Sequence, residues 1–319
     1  MSILNVAIVG AGNISRAHMD AWKNVEDAKV TAVCDIREEM VQRAKDFTGA
    51  TGYSDFDEML AKETIDILDI CLPTNLHADF AVKAMNRGIH VITEKPLSLN
   101  KADVKRTYAA AQKNNVRFMT AQVLRFWQEY ELLREAYRTK KYGALISATM
   151  TRVGSTPRRS WDNWMLDEKR SGLTPFDLHI HDLDFLVYAF GKPASMQVNR
   201  ARGEKRDDIH VVYHYDGFFV SCQATWYNAV FRFRSAYRFQ FEKAVMEYES
   251  GALTIYHEDG TNEQPVKATA TFDDPSVPTS NAYLNEIRYF VDCVKAGRDC
   301  DKVKAHELET VLTLIEGLA

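Results

Sequence analysis

A chain of 319 residues is long enough for two domains, and its 46% hydrophobic and 26% charged residues are typical of a globular protein. Its formal net charge of -4 lacks the basic surplus of nucleic-acid-binding proteins, and no apolar stretch is long enough to cross a bilayer. We therefore expect no nucleic-acid partner and no membrane.

The first 122 residues alternate between strand and helix patterns. Apolar runs predict six strands, at residues 6–9, 30–34, 50–53, 65–72, 89–93 and 117–121. The segments between them have apolar residues at helical spacing, with Asp55 and Asn100 as helix N-caps. Repeated strand–helix–strand units of this length predict a doubly wound parallel sheet with helices on both faces.

A different pattern begins after about residue 122. Longer strands are predicted at residues 145–152, 195–201, 210–215, 218–226 and 231–242, and Asp216-Gly217 predicts a hairpin turn. Helices are predicted around residues 132–137, 283–295 and 306–317, and the segment 272–280, rich in Pro, Asp and Ser, predicts a surface loop. We expect a second α/β domain, residues 123–319, with a large open, mostly antiparallel sheet.

Cysteine usage and the first residues bear on the compartment. The chain has five scattered cysteines without metal-like spacing, namely Cys34, Cys71, Cys222, Cys293 and Cys300. Their odd number argues against a disulfide framework, and Cys34 and Cys71 lie in apolar runs that predict buried strands. The N-terminus lacks a basic leader and predicts a first strand instead of a signal peptide, so we expect a cytoplasmic protein.

A glycine motif joins the first strand to the first helix. Gly10-Ala11-Gly12-Asn13-Ile14-Ser15 matches G-x-G-x-x-G except at Ser15, where a small residue should be tolerated. The glycines permit a tight turn and close approach to a pyrophosphate at the helix N-terminus. Asp35 follows after about 20 residues, the spacing of the acid that binds the ribose. The motif predicts a Rossmann domain that binds NAD, although Arg37 leaves NADP possible; a glycine-rich turn without a nucleotide is the alternative.

Asp177 and His181 form a candidate acid–base pair in the second half of the chain. On a helix, residues four apart share a face, and the carboxylate can orient the imidazole and stabilise its charged form. A histidine satisfied within the core is the alternative. His179-x-His181 also suggests zinc, but that chelation requires a strand, and on a helix the two rings diverge by roughly 200°. We therefore predict no metal site.

Further motifs resemble a known family. Leu72-Pro73-Thr74-Asn75-Leu76-His77 follows the fourth strand and Thr93-Glu94-Lys95-Pro96 the fifth, so both fall at the carboxyl edge of the sheet, where ligands bind. With the glycine motif and Asp177-x-x-x-His181-x-x-Asp184 followed by Gly191, they resemble the glucose-fructose oxidoreductase / inositol dehydrogenase family, also called Gfo/Idh/MocA. The resemblance covers nearly the whole chain.

The resemblance implies catalytic and cofactor-binding residues. Lys95 matches the family's active-site lysine, whose ammonium stabilises a developing alkoxide, and His181, supported by Asp177, would take the hydroxyl proton. The Lys95-Pro96 peptide is often cis in relatives. The implied cofactor contacts are Gly10, Gly12, Asn13, Ile14, Asp35, Arg37, Pro73, Thr74, Asn75, His77, Glu94, Lys95 and Gln122.

The resemblance also implies substrate contacts. Arg125, Trp164 and Tyr283 are expected to contact the substrate. Two alternatives stay open from the residues themselves: His77 contacts the cofactor or only begins a helix, and Asp184 supports the site or the fold. Relatives commonly have Gly in place of His179 and a Gly-rich segment in place of residues 171–175, so the rim of the site is expected to differ.

The resemblance implies an NAD(P)-dependent dehydrogenase that acts on a hydroxyl or keto carbon of a sugar, inositol or related polyol. One face of the open sheet has to be covered, and relatives use it to form dimers or tetramers, so we expect a homodimer or homotetramer. Two alternatives are a glycoside hydrolase that uses tightly bound NAD for transient oxidation, and a non-enzymatic NAD-binding regulator. A regulator would need none of Lys95, Asp177 and His181, which argues against it.

Overall fold

The computed structural model describes residues 3–158, 160–203, 206–249, 251–266 and 281–318. Contacts divide the chain into a first unit, Met1–Val123 with Asn281–Glu309, and a second unit, Leu124–Ser280 with Thr310–Ala319. The division after Val123 lies beside the predicted boundary. Residues 281–309, which the sequence prediction assigned to the second domain, group instead with the first unit, because their helix packs against the first helix of the chain.

The elements are numbered in chain order. The strands are β1 (Leu4–Val9), β2 (Ala28–Cys34), β3 (Thr51–Tyr53), β4 (Ile67–Ile70), β5 (His90–Glu94), β6 (Phe118–Ala121), β7 (Leu145–Ser155), β8 (Ser195–Gly203), β9 (Arg206–Tyr215), β10 (Phe218–Tyr227), β11 (Arg234–Phe241), β12 (Ala244–Glu249), β13 (Ala252–His257) and β14 (Asn262–Glu263). The α-helices are α1 (Asn13–Trp22), α2 (Glu38–Thr48), α3 (Phe56–Lys62), α4 (His77–Met85), α5 (Lys101–Lys113), α6 (Gln128–Arg138), α7 (Glu168–Ser171), α8 (Ile180–Phe190), α9 (Ala282–Ala296) and α10 (Ala305–Glu316).

The first unit contains a six-stranded sheet in the order β3-β2-β1-β4-β5-β6, with every neighbouring pair parallel. The four residues of β4 are all buried, as expected for a central strand covered on both faces. The predicted N-caps are confirmed, since Asp55 accepts from the Glu58 amide and Asn100 from the Asp103 amide. The predicted doubly wound parallel sheet is confirmed, and it brings the carboxyl ends of β1, β4 and β5 to one edge.

The second unit contains an eight-stranded sheet in the order β14-β13-β12-β11-β7-β10-β9-β8. β7 and β10 are parallel, and the other neighbouring pairs are antiparallel. The predicted hairpin at Asp216-Gly217 joins β9 to β10, with Gly217 at a φ of +82°. The prediction of a large, mostly antiparallel sheet is confirmed, but β12, β13 and β14 were not predicted.

A π-helical segment, Pro175–His179, precedes α8 and packs against β7 and β10 of this sheet. Short 3-10 segments lie at Thr74–Leu76, Val123–Phe126 and Trp161–Leu166. The predicted loop 272–280 lies outside the described residues. Among the residues that the structure describes, no helix has the length and apolar character needed to cross a membrane.

Candidate active site

The glycine turn lies between β1 and α1 in the first unit. Gly10 has a φ of +89°, and a Cβ added there would lie 2.4 Å from the carbonyl oxygen of Cys71. Only glycine therefore fits this position. A Cβ on Gly12 would have no neighbour within 4 Å, so open space lies beside the N-terminus of α1. Ser15 is fully buried and its hydroxyl donates to the Gly12 carbonyl at 2.7 Å, which shows how the motif accommodates serine.

Asp35 stands at the end of β2 and connects to the glycine turn. Its Oδ2 accepts from the Ala11 amide at 2.8 Å, and both carboxylate oxygens accept from the Arg37 guanidinium at 2.9 Å. Burial opposes the charge, but the hydrogen bonds from Arg37 and Ala11 outweigh burial and lower the pKa of Asp35. The predicted ribose acid is thus ionised and lies against the predicted pyrophosphate turn.

The segment after β4 is fixed by His77. One ring nitrogen of His77 lies 2.7 Å from the Pro96 carbonyl oxygen and the other lies 2.6 Å from the Leu72 carbonyl oxygen. The residue is only 1% exposed, and burial lowers its pKa. Of the two roles left open by the sequence, the contacts favour a structural one, since the ring joins the loop after β4 to the loop after β5. Among the neighbouring predicted contacts, Thr74 is buried and Asn75 is exposed.

Glu94 and Lys95 follow at the end of β5. The Lys95-Pro96 peptide is cis, as the resemblance implied. Glu94 is 7% exposed, and its Oε2 accepts from the backbone amide of Lys95 at 2.9 Å. Lys95 itself is half-buried, and Gln122, which follows β6, is 2% exposed. This hydrogen bond from the Lys95 amide to Glu94 therefore restrains the backbone from which the Lys95 side chain extends.

Beside Glu94 lies a buried polar group that the sequence analysis missed. His18 of α1 is fully buried between Asp69 of β4 and Glu94, and its two ring nitrogens each lie 2.9 Å from one of these carboxylates. The Trp22 indole also donates to Asp69, at 2.7 Å. The residues His18, Trp22, Asp69 and Glu94 are called the His18 cluster below. Its signal in the sequence was Asp69, an acid inside the apolar run Ile67-Leu68-Asp69-Ile70.

His18, Asp69 and Cys71 lie close enough together to hold a metal ion. Their chemistry argues for hydrogen bonding instead. Both nitrogens of His18 already face carboxylates, and burial raises the pKa of Cys71 to about 12, so its thiol keeps its proton. Tyr283, expected from the sequence to contact substrate, is 6% exposed and its ring centroid lies 5.7 Å from that of His18.

In the second unit, Asp177 lies in the π-helical segment and His181 in the first turn of α8. The expected regular α-helix is therefore interrupted at Asp177, and such π-helical turns are frequent at functional sites. The Trp226 indole of β10 donates to Asp177 Oδ2 at 3.2 Å, a partner that the sequence analysis missed. Asp177 and His181 are both half-buried, so each can meet a ligand.

The residues around this pair belong to the core of the second unit. His179 is fully buried and its Nε2 lies 2.7 Å from the Tyr213 hydroxyl; burial lowers its pKa to about 4.

Asp184 accepts two hydrogen bonds from Arg125, at 2.8 and 2.6 Å, with the two residues 1% and 0% exposed. These contacts assign Asp184 to the fold and give Arg125 a buried partner. Trp164 is half-buried in the segment Trp161–Leu166.

Two family models match this chain, one in its N-terminal part and one in its C-terminal part. The model of the GFO/IDH/MocA oxidoreductase family with an NAD-binding Rossmann fold matches residues 4–122, and the model of the GFO/IDH/MocA C-terminal domain matches residues 130–263. Together the two models cover most of the chain.

The chain is also similar to individual dehydrogenases. The chain is 30% identical over 191 residues to myo-inositol 2-dehydrogenase of Thermotoga maritima, covering 59% of this chain and 55% of that protein. It is 28% identical over 200 residues to D-glucoside 3-dehydrogenase of Escherichia coli, covering 62% and 57%. The matches thus span little more than half the length of these relatives. Myo-inositol 2-dehydrogenase of Lactobacillus plantarum shares the fold, with a TM-score of 0.80 and 19% identity over 99% of this chain and 96% of that one.

Proposed function

Because the chain belongs to the GFO/IDH/MocA family of NAD-binding oxidoreductases, we propose that it is an NAD-dependent dehydrogenase acting on a CH–OH group of a sugar, inositol or related polyol. The observation that carries the proposal is the common edge of the parallel sheet, where the glycine turn, Asp35 and Lys95 follow β1, β2 and β5. A dinucleotide site and a cationic side chain at one edge suit hydride transfer.

The first unit fits the dinucleotide. The open space at Gly12 and the N-terminus of α1, which carries no acid in its first turn and no side-chain cap, suit a pyrophosphate. The ionised Asp35 suits the ribose hydroxyls and disfavours a 2′-phosphate, so NAD is preferred to NADP. When bound, NAD supplies the nicotinamide carbon that accepts the hydride.

The proposed catalytic residues have separate tasks. The Lys95 ammonium stabilises negative charge on the substrate oxygen as its carbon loses the hydride. His181 takes the hydroxyl proton, and Asp177 favours the charged imidazole that results. Trp226 restrains the Asp177 carboxylate through its indole hydrogen bond. Trp164 remains a candidate substrate contact because it is half-buried, whereas the buried Arg125 and Tyr283 are proposed to act by supporting neighbouring groups.

The test is a screen of inositols, glucosides and their keto forms with NAD and with NADP. The absorbance of the reduced cofactor measures the reaction. Lys95→Ala should lower kcat by at least about 100-fold while NAD still binds. Lys113→Ala, at an exposed lysine in the last turn of α5, is the control and should match the parent protein. Unchanged turnover in Lys95→Ala would refute the mechanism.

The same screen separates the alternatives. Cleavage of an aryl glycoside without net NADH release would indicate a hydrolase that oxidises its substrate transiently. NAD binding without turnover of any compound, in a protein that retains Lys95, Asp177 and His181, would favour a regulator. Net NADH formation with a polyol supports the dehydrogenase.

We also propose that the protein is a homodimer or homotetramer that associates through the outer face of the eight-stranded sheet. Side chains that alternate with the buried ones form this face, and a shallow depression of about 290 Å³ lies on it, lined by residues that include Thr149, Gln223, Arg238 and Glu247. Arg238→Glu replaces the 2.8 Å ion pair with Glu247 of the same chain by two like charges on this face, which should oppose association and lower the mass measured by light scattering. A cytoplasmic location is proposed because the five cysteines are buried and unpaired.

A further inference from the structure

The His18 cluster contains a histidine with a carboxylate at each ring nitrogen. Nδ1 lies 2.9 Å from Asp69 Oδ2, and Nε2 lies 2.9 Å from Glu94 Oε1. An ionised carboxylate only accepts hydrogen bonds, so each contact requires a hydrogen on the histidine nitrogen. A ring with two N–H groups is an imidazolium. With a negatively charged carboxylate at each nitrogen, His18 is a buried cation, unlike His77, whose two nitrogens face neutral carbonyl oxygens and whose pKa burial lowers.

The surroundings of His18 supply the compensating charge. It faces Asp69 of β4 and Cys71 directly after that strand, Glu94 of β5, and Tyr283 and Glu286 of α9. Burial has the largest single effect on the pKa of His18 and lowers it, but the contacts with Asp69 and Cys71 together outweigh burial and raise this pKa. Burial also raises the pKa of Cys71, Tyr283 and Glu286, so these three groups stay neutral. The negative charges of Asp69 and Glu94 therefore balance the positive charges of His18 and the neighbouring Lys95.

Glu94 connects this charge to Lys95. One oxygen of Glu94 accepts from His18 and the other from the Lys95 backbone amide, so both oxygens are held. Burial opposes the charge of Glu94, but His18 and Lys95 outweigh it and lower the pKa of Glu94. If His18 were neutral, Asp69 and Glu94 would be two carboxylates buried beside one another with Lys95 as the remaining neighbouring cation. One of them would then take up a proton, and Glu94 would lose its restraint.

We propose that His18 is a positioning residue for the hydride transfer: as a permanent imidazolium clamped between Asp69 and Glu94, it fixes the Glu94 carboxylate that holds the backbone amide of Lys95. The His18 imidazolium acts through Glu94 and does not need to contact the substrate. The kinetic consequence rests on the proposed function, whereas the charge of His18 does not.

The charge is tested without any substrate. In the full-length protein labelled with ¹⁵N-histidine, NMR should show one ring that keeps a hydrogen on both nitrogens from pH 6 to 9, and this signal should be missing in His18→Gln. If His18 instead loses a ring hydrogen near the ordinary histidine pKa of about 6.5, the proposal is overturned. This result holds whether or not the protein proves to be a dehydrogenase.

The positioning role is tested by kinetics on His18→Gln. We expect kcat to fall about 100-fold with KM for NAD changed less than about threefold, since a displaced Lys95 weakens the reaction more than binding. Without the imidazolium, Glu94 should titrate nearer neutral pH, so the pH profile of the variant should show an additional titration that the parent lacks. Parental kcat and pH profile in a folded His18→Gln protein would overturn the proposal.

Two further variants complete the test. His90→Gln is the matched control, because His90 is a partly buried histidine at the other end of β5 whose ring accepts a hydrogen bond from the Arg117 amide. Its activity should equal that of the parent. If His18→Gln does not fold, Asp69→Asn retains the His18–Glu94 contact and should lower kcat by a smaller factor while removing the permanent charge seen by NMR. A permanent charge that survives Asp69→Asn with parental kcat would contradict the clamp.

Discussion

The buried ion pair between Arg125 and Asp184 predicts a specific pattern of stability losses. The two side chains are 0% and 1% exposed and are joined by two parallel hydrogen bonds, and the Tyr188 ring centroid lies 4.7 Å from the guanidinium carbon of Arg125. Removing one partner leaves the other charge buried and poorly compensated, which costs about 3–5 kcal/mol. We therefore expect Arg125→Met and Asp184→Leu each to lower the free energy of unfolding by this amount.

The double variant should behave differently, because it removes both charges and keeps apolar volume. Its stability is expected within about 1 kcal/mol of the parent, so the two losses should be strongly non-additive. Urea unfolding followed by tryptophan fluorescence is suitable, since Trp22 alone among the five tryptophans lies in the first unit. Single losses below about 1 kcal/mol, or a double variant whose loss is the sum of the single ones, would refute the buried pair.

Three further predictions concern the cofactor site and the core. Asp35→Ser removes the partner of Arg37, and the ratio of kcat/KM for NADP to that for NAD should rise at least about 10-fold in steady-state assays. Gly10→Ala brings a Cβ to 2.4 Å from the Cys71 carbonyl oxygen at a φ of +89° and should abolish NAD binding and lower Tm, measured by calorimetry. The pKa of His179, lowered from 6.5 to about 4, means that its contribution is complete above pH 6.5 and is lost as the pH falls through 4, a change of about 3 kcal/mol. The variant His179→Gln should flatten the pH dependence of the urea midpoint over that window; equal slopes would contradict the assignment.

The fold of the first unit could be predicted because strand and helix signals there agree with one another. β4 is a continuous apolar run and its neighbours follow at regular spacing, so periodicity and topology rules indicate the same parallel sheet. The grouping of α9 with this unit could not be predicted, since helical periodicity shows that a face is buried but does not identify its partner. β12 and β13 were missed because each is only six residues long and follows the preceding strand after a short turn, so neither gives a long alternating pattern.

Some residues of the candidate site could likewise be predicted from the sequence and others could not. Gly10, Asp35 and Lys95 were recognisable from the sequence, because a local turn or strand end determines where each lies. The partners that restrain them come from distant positions: His18 and Glu94 are 76 residues apart, and Asp177 and Trp226 are 49 apart. Only the fold brings such pairs together. The sequence analysis did not use Asp69, although an acid within an apolar strand indicates a buried partner for its charge.

His179 is one of the two departures from the family that led us to expect a different rim around the site. Its ring lies in the core of the second unit, where it is fully buried against the Tyr213 hydroxyl, while Asp177 and His181 on the same segment stay half-buried. The change from glycine is therefore accommodated on the side that faces the sheet. Because the His179 ring is buried while Asp177 and His181 are half-buried, the substitution gives no reason to withhold the proposed catalytic roles from them. The other segment expected to differ, residues 171–175, is mostly buried as well, since Ser171 is 3% and Thr174 0% exposed, so it also offers little surface to a ligand.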